Sequence, residues 1–166
     1  MIVGMIGYAR SGKDTAAEAL IERGFERRAF ADILKAVARD IGWDGVKDDY
    51  GRRLLQNLGA SCRHHLGDRV WIDATLRDAE GRDIVITDVR YRNEAELIAA
   101  AGGILVRVTR PGVGPANDHI SELELAQWPC DIILMNSASP AELHATLLTE
   151  LSLRQGVGAS TPGAVP

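Results

Sequence analysis

Residues 7–15 read Gly7-Tyr8-Ala9-Arg10-Ser11-Gly12-Lys13-Asp14-Thr15, directly after the apolar run Ile2–Ile6 and before a stretch with helical spacing. Two glycines with four residues between them and a lysine next suit one chemistry, the holding of a phosphate. Glycines let backbone N–H groups curl around the anion, and a helix N-terminus adds partial positive charge. Ser11 and Gly12 complete such a cradle. Lys13 then reaches the β- and γ-phosphates of a nucleotide and neutralises charge as a phosphoryl group moves. The strict motif has Ser or Thr after the lysine; here Asp14 stands there and Thr15 comes next. The Thr15 hydroxyl still reaches phosphate or Mg2+ from the first helical turn. Asp14 suits the helix dipole; beside a polyphosphate it either faces away or holds metal-bound water. Arg10 is a cation that plain ATP hydrolysis does not need, and inside the loop it can touch two phosphate groups.

Further candidates stand just after the other apolar runs. An Asp that ends a strand beside a phosphate loop suits magnesium-bound water or a substrate contact, so Asp88 joins Asp14 and Thr15 as a possible metal contact. Arg90 can hold a phosphate bidentately, with Glu94 four residues on. Val89 stands where a rotary-type hydrolase would carry Glu, which disfavours hydrolysis, and no Asn-Lys-x-Asp motif marks a GTPase. Asp32 either caps a helix or meets a substrate, and Lys35 is a candidate for an acceptor phosphate. Arg52, Gln56, Gly59 and Arg63 form one helical stripe; Gln56 and Arg63 suit a base edge or a phosphate, or a solvated face. Arg107 and Arg110 precede a loop. Asn136 and Ser137 follow the last apolar run, where Asn136 bonds a donor base or makes a local turn. His64-His65 near Cys62 has no second ligand cluster, so no metal site is expected there.

The elements that must position these residues follow from periodicity. Ile2–Ile6, Ile84–Thr87, Ile104–Thr109 and Ile132–Met135 are continuous β-branched runs, which suit strands buried on both faces of a parallel sheet. Arg28–Ala31 is a weaker strand. Helices are expected at Thr15–Glu22, Asp32–Ile41, Gly51–Leu66, Val70–Ala79, Asn93–Ala101 and Pro140–Arg154. In the third of these, Leu55, Leu58, Cys62 and Leu66 make a core stripe. Gly102-Gly103 ends the fifth, and Ser139-Pro140 starts the sixth. Strands alternating with helices give an α/β fold with a mostly parallel sheet, and such sheets bind ligands at the carboxyl ends of their strands. Residues 111–119 read as a loop and residues 155–166 as a mobile tail.

Composition bounds the reading. A chain of 166 residues suits one domain. Leu, Ile, Val and Phe supply 43 of them, enough for a folded core. A net charge of −4 argues against binding nucleic-acid polymers or an anionic membrane, but allows a small anion held by local cations. There are 16 Arg and three Lys, and two of those lysines, Lys13 and Lys35, fall in the motifs above. Two cysteines, neither in a CxxC, suit a reducing compartment. Neither a signal peptide nor an apolar span of ~18 residues is visible, so a soluble cytoplasmic protein, monomer or homodimer, is expected.

With these pieces assembled, the chain resembles the bacteriophage deoxynucleoside monophosphate kinases, a branch of the phosphate-loop nucleoside monophosphate kinases. Thr two residues after the lysine is itself a feature of that wider group. The matching segments run in order: GYARSGKDT at 7–15, FADILK at 30–35, LLQNLGASCR at 54–63, RVWID at 69–73, ITDVRYRNEAE at 86–96, RVTRPG at 107–112, HISELEL at 119–125 and IILMNS at 132–137. The resemblance implies a three-layer α/β/α sandwich of the P-loop NTPase kind with a five-stranded, mostly parallel sheet. It implies a kinase domain over residues 1–154, with a short lid at about 111–130. It implies ATP and Mg2+ as donor and a deoxynucleoside monophosphate (dNMP) as acceptor, in deoxynucleotide supply for a phage in its host's cytoplasm. On it, Gly7, Ser11, Gly12, Lys13, Asp14 and Thr15 hold the donor phosphates, and Arg107, Arg110, Asn136 and Ser137 flank the donor base or ribose. Asp32, Lys35, Gln56, Arg63, Trp71, Asp88, Arg90, Glu94 and Glu122 line the acceptor site. Lys13, Arg10, Arg90 and Asp88 carry the transfer. Rival readings are a related small-molecule kinase, with dephospho-coenzyme A or phosphomevalonate as acceptor, and a nucleotide-binding protein without turnover.

Overall fold

A computed structural model describes residues 1–115 and 124–158, the last four as backbone. The element order is β1 (Ile2–Ile6), α1 (Lys13–Ile21), β2 (Glu26–Arg28), α2 (Phe30–Asp40), α3 (Asp49–Leu66), α4 (Val70–Thr75), β3 (Ile84–Ile86), α5 (Arg92–Ala100), β4 (Ile104–Thr109), β5 (Ile132–Met135) and α6 (Pro140–Gly158). The five strands form one sheet in the order β2-β3-β1-β4-β5, and every pairing is parallel.

Each face of the sheet carries its own core. On one, Val3, Met5, Val106, Val108 and Leu134 meet Ala16, Ala17 and Leu20 of α1 and Leu143, Leu147 and Leu151 of α6. On the other, Ile6, Ile84, Ile86 and Leu105 meet Phe30, Trp71, Ile72, Ala95 and Ile98 from α2, α4 and α5. The architecture is therefore the expected three-layer sandwich.

The continuous apolar runs of β1, β3 and β4 are buried on both faces or nearly so. The edge strands depart from that expectation. In β5, Ile132 and Leu134 are buried while Ile133 and Met135 are exposed. β2 is Glu26–Arg28, earlier than the expected Arg28–Ala31, because a three-residue edge strand can be charged. Ala29 and Phe30 are buried for another reason: Ala29 is the N-cap and Phe30 the first residue of α2.

The core stripe expected on α3 is corrected as well. Leu55, Leu58 and Cys62 are half-buried and Leu66 is largely exposed. The fully buried positions are Gly51 and Gly59, where a small residue lets the helix approach its neighbours; a Cβ at Gly59 would lie 3.3 Å from Leu34 of α2. α4 ends at Thr75, short of Ala79. Both expected stop and start signals operate. Gly102 takes φ 69° after α5. Ser139 and Glu142 bond reciprocally at the start of α6, the Glu142 N–H donating to Ser139 Oγ and the Ser139 N–H to Glu142 Oε2. α6 runs past Arg154 to Gly158; the rest of the expected tail lies outside the described residues.

Candidate active site

The loop between β1 and α1 is built on a backbone that few residues adopt. Gly7 and Gly12 have φ 149° and 103°, and Arg10, a non-glycine, has φ 66°. The Ser11 N–H closes a turn onto the Tyr8 carbonyl at 3.2 Å. Lys13 is buried, and its Nζ donates to the carbonyls of Gly7 (2.7 Å) and Tyr8 (2.8 Å). Its ammonium is thereby held over the loop. The Ser11 hydroxyl is buried with no partner among the described residues. An unmade bond of that kind costs roughly 1–3 kcal/mol, and a phosphate oxygen would make it. Asp14 is exposed and Thr15 half-buried in the first turn of α1.

Asn136, at the end of β5, stands against the phosphate loop. Its Nδ2 donates to the Ser11 carbonyl at 2.8 Å, and its N–H to the Thr109 carbonyl at 2.7 Å. A Cβ at Gly12 would overlap that amide nitrogen. Asn136 thus clamps the loop from the end of β5. Its neighbour Ser137 is exposed, as is Arg110. Arg107 holds the carbonyls of Leu125 (2.9 Å) and Trp128 (2.6 Å) through Nη2, so its guanidinium braces the chain before β5. Glu122 and the middle of the expected lid lie outside the described residues.

At the end of β3, Asp88 reaches across to α2. Its two carboxylate oxygens accept from the N–H groups of Phe30 (2.8 Å) and Ala31 (2.9 Å). It caps a helix whose own N-cap, Ala29, has no side-chain acceptor. Burial pushes its carboxyl above the usual range, against those two bonds and the charge of Arg90. The local cap expected of Asp32 is therefore supplied from β3. Asp32 instead accepts from Arg27 Nη1 (2.7 Å) and Lys35 Nζ (2.9 Å). Burial raises the Asp32 carboxyl, but those two bonds outweigh it and hold it below its usual value.

Glu94 is buried and serves α5. Its Oε2 accepts from the N–H groups of Arg90 (2.8 Å) and Tyr91 (3.0 Å). Arg90 lines a small cavity with Gly7 and Tyr8 of the loop, together with Arg107 and Leu125. Arg63 of α3 lies over the Tyr91 ring, 4.2 Å from its centroid, and its Nη2 donates to the Tyr91 hydroxyl at 3.0 Å. Gln56 is half-buried on the same helix. Trp71 is buried, and its indole N–H donates to the Gly59 carbonyl at 3.2 Å. That bond joins α4 to α3.

The geometry gathers Gly7, Arg10, Ser11, Lys13, Asp88 and Arg90 at the carboxyl ends of β1 and β3. Arg63 lies on α3, Glu94 on α5, and Asp32 and Lys35 on α2. Two further residues were missed. Tyr91 meets Arg63 across 28 residues of chain. His144 of α6 bonds the Thr15 carbonyl through Nε2 at 2.7 Å. Neither contact leaves a local pattern in the sequence.

The model of one family, deoxynucleotide monophosphate kinase, matches residues 46–147, beginning beyond the phosphate loop. A protein of Acanthamoeba polyphaga mimivirus provisionally named for that activity is 29% identical, with 90% of this chain and 95% of that protein covered. The deoxynucleotide monophosphate kinase of Escherichia phage RB69 is 32% identical over 127 residues. That match covers 72% of this chain and 52% of the RB69 protein, so the chain spans about half its length. Among solved structures, shikimate kinase from Aquifex aeolicus aligns with a TM-score of 0.53 at 14% identity, covering 93% of this chain and 98% of that one. This last likeness speaks for the fold alone.

Proposed function

The chain belongs to the deoxynucleotide monophosphate kinase family, and on that premise we propose that it transfers the γ-phosphoryl group of ATP to the 5′-phosphate of a deoxynucleoside monophosphate, giving the diphosphate and ADP, for phage or viral DNA precursor supply. The observation that carries the donor half is the loop of residues 7–13, shaped by positive φ at Gly7, Arg10 and Gly12, with the Lys13 ammonium seated on its carbonyls. An acceptor phosphate oxygen is already anionic, so the reaction needs no strong general base. Positioning and charge neutralisation suffice.

In this reading the Gly7–Lys13 backbone and the Ser11 hydroxyl grip the β- and γ-phosphates. Lys13 and Arg10 counter the charge that spreads over the moving phosphoryl group. Arg90, beside the loop, and Arg63 and Lys35, farther out, hold the acceptor phosphate. Asp88 and Asn136 keep the acceptor and donor elements in place through the bonds described above. Mg2+ bound with ATP would neutralise charge on the donor phosphates. Among the described residues no cluster of three potential ligands could cage a metal. The Thr15 hydroxyl and the exposed Asp14 carboxylate are the groups that would hold it. Asp88, whose oxygens already serve two amides, suits that task less.

Lys13→Ala tests the assignment. With the fold retained by circular dichroism, ADP formation should fall by about 10²–10³-fold. Arg90→Ala should also lose transfer while still binding ATP. Undiminished turnover in Lys13→Ala would overturn the reading.

A further inference from the structure

We propose that Tyr91 is a positioning residue, a rigid aromatic platform that holds the Arg63 guanidinium ready for the acceptor phosphate; this rests on the function proposed above. The Arg63 guanidinium carbon lies 4.2 Å from the ring centroid, and Nη2 bonds the phenol oxygen at 3.0 Å. An arginine left in solvent samples many rotamers. Stacking on an aromatic face restricts them and attracts the cation. The stack covers a face of the guanidinium, and apart from the Nη2 N–H given to the phenol oxygen it leaves edge donors of the kind that bind phosphate.

The platform is itself fixed. The Tyr91 N–H donates to Glu94 Oε2 at 3.0 Å, and the Tyr91 carbonyl accepts from the N–H groups of Glu94 and Ala95 at 3.1 Å each. It therefore moves with α5. On the other side Arg63 meets Gly59, where a Cβ would come within 3.7 Å of Nη2, and the Gly59 carbonyl is tied to Trp71. Arg63 is thus set between α3 and the start of α5. Tyr91 follows Arg90, which shares a cavity with the phosphate loop. The ring holds a second cation, Arg63, on the residue that follows Arg90 in the chain.

Three variants separate this from a merely structural role. Tyr91→Leu should raise the KM for the deoxynucleoside monophosphate about tenfold and leave the KM for ATP unchanged. Tyr91→Phe, which keeps the ring, should stay within about threefold of wild type. Arg63→Ala/Tyr91→Leu should be no worse than Arg63→Ala alone. An unchanged acceptor KM in folded Tyr91→Leu, or a further tenfold loss on adding it to Arg63→Ala, overturns the proposal. A second readout needs no substrate. Ring current should shift the Arg63 side-chain proton resonances upfield in wild type and Tyr91→Phe, and the shift should vanish in Tyr91→Leu. A chain that phosphorylates no deoxynucleoside monophosphate sinks the functional reading, while these resonances still judge the platform. No upfield shift in wild type overturns the platform itself.

Discussion

Glu94 shows how burial sets one residue's chemistry. Its carboxyl is raised to about 7, first by loss of solvent and then by the nearby Asp88, against the amides of Arg90 and Tyr91 and the charge of Arg63. The folded state then binds a proton more tightly than the unfolded chain, whose glutamate titrates near 4.5. Stability from this group is full below about pH 4.5 and is lost as pH rises through about 7, at most about 3 kcal/mol. Asp88, also raised by burial, slopes the same way, so the informative quantity is a difference between proteins. Glu94→Gln keeps an acceptor oxygen for the α5 amides and has no proton to lose. Urea titrations from pH 4 to 8 should show a smaller decline in the variant than in wild type. Equal declines would mean that Glu94 titrates normally. The sequence marked Glu94 as a site candidate, but its burial and its service to two amides are properties of the folded α5.

Asp88 ties β3 to α2, and that bond governs an element. Removing both acceptors in Asp88→Ala leaves the Phe30 and Ala31 amides uncapped, whereas Asp88→Asn keeps one. The alanine variant should be less stable than the asparagine variant by about 1–2 kcal/mol in chemical denaturation. Equal stability would show that water caps α2 adequately. Asn136 plays the matching part for the phosphate loop, so Asn136→Ala should raise the KM for ATP several-fold with the acceptor KM little changed. At this scale the sequence was legible wherever structure is local. The strand, loop and helix of residues 2–21 are encoded by neighbours, and so are the Ser139–Glu142 start of α6 and the Gly102 stop. It was less legible where elements meet. Ala29 and Phe30 looked like a strand because they are apolar, yet their burial comes from capping and opening α2. The α3 leucines looked like a core stripe, yet the close contacts fall on Gly51 and Gly59. Trp71 looked available to a ligand, yet its N–H is engaged by a residue twelve positions away.

Over the whole molecule, a net charge of −4 coexists with a group of cations at the carboxyl ends of the strands. Anion binding there should stabilise the fold by mass action. A non-hydrolysable ATP analogue at a hundred times its Kd adds about 2.7 kcal/mol, roughly 5–10 °C in Tm for a chain of this size. Lys13→Ala should lose most of that shift. The layer order and the parallel sheet were readable because buried β-branched runs alternate with helices. The exposed face of β5 was not, because a run of apolar residues does not say which strand ends the sheet. Phosphoryl transfer to a deoxynucleoside monophosphate is decided by coupled measurement of ADP release with ATP and each of the four deoxynucleoside monophosphates, with Mg2+ and with excess chelator. ADP release should require both Mg2+ and at least one of the four acceptors. ADP release at the same rate without any acceptor, or none with all four, would contradict such transfer.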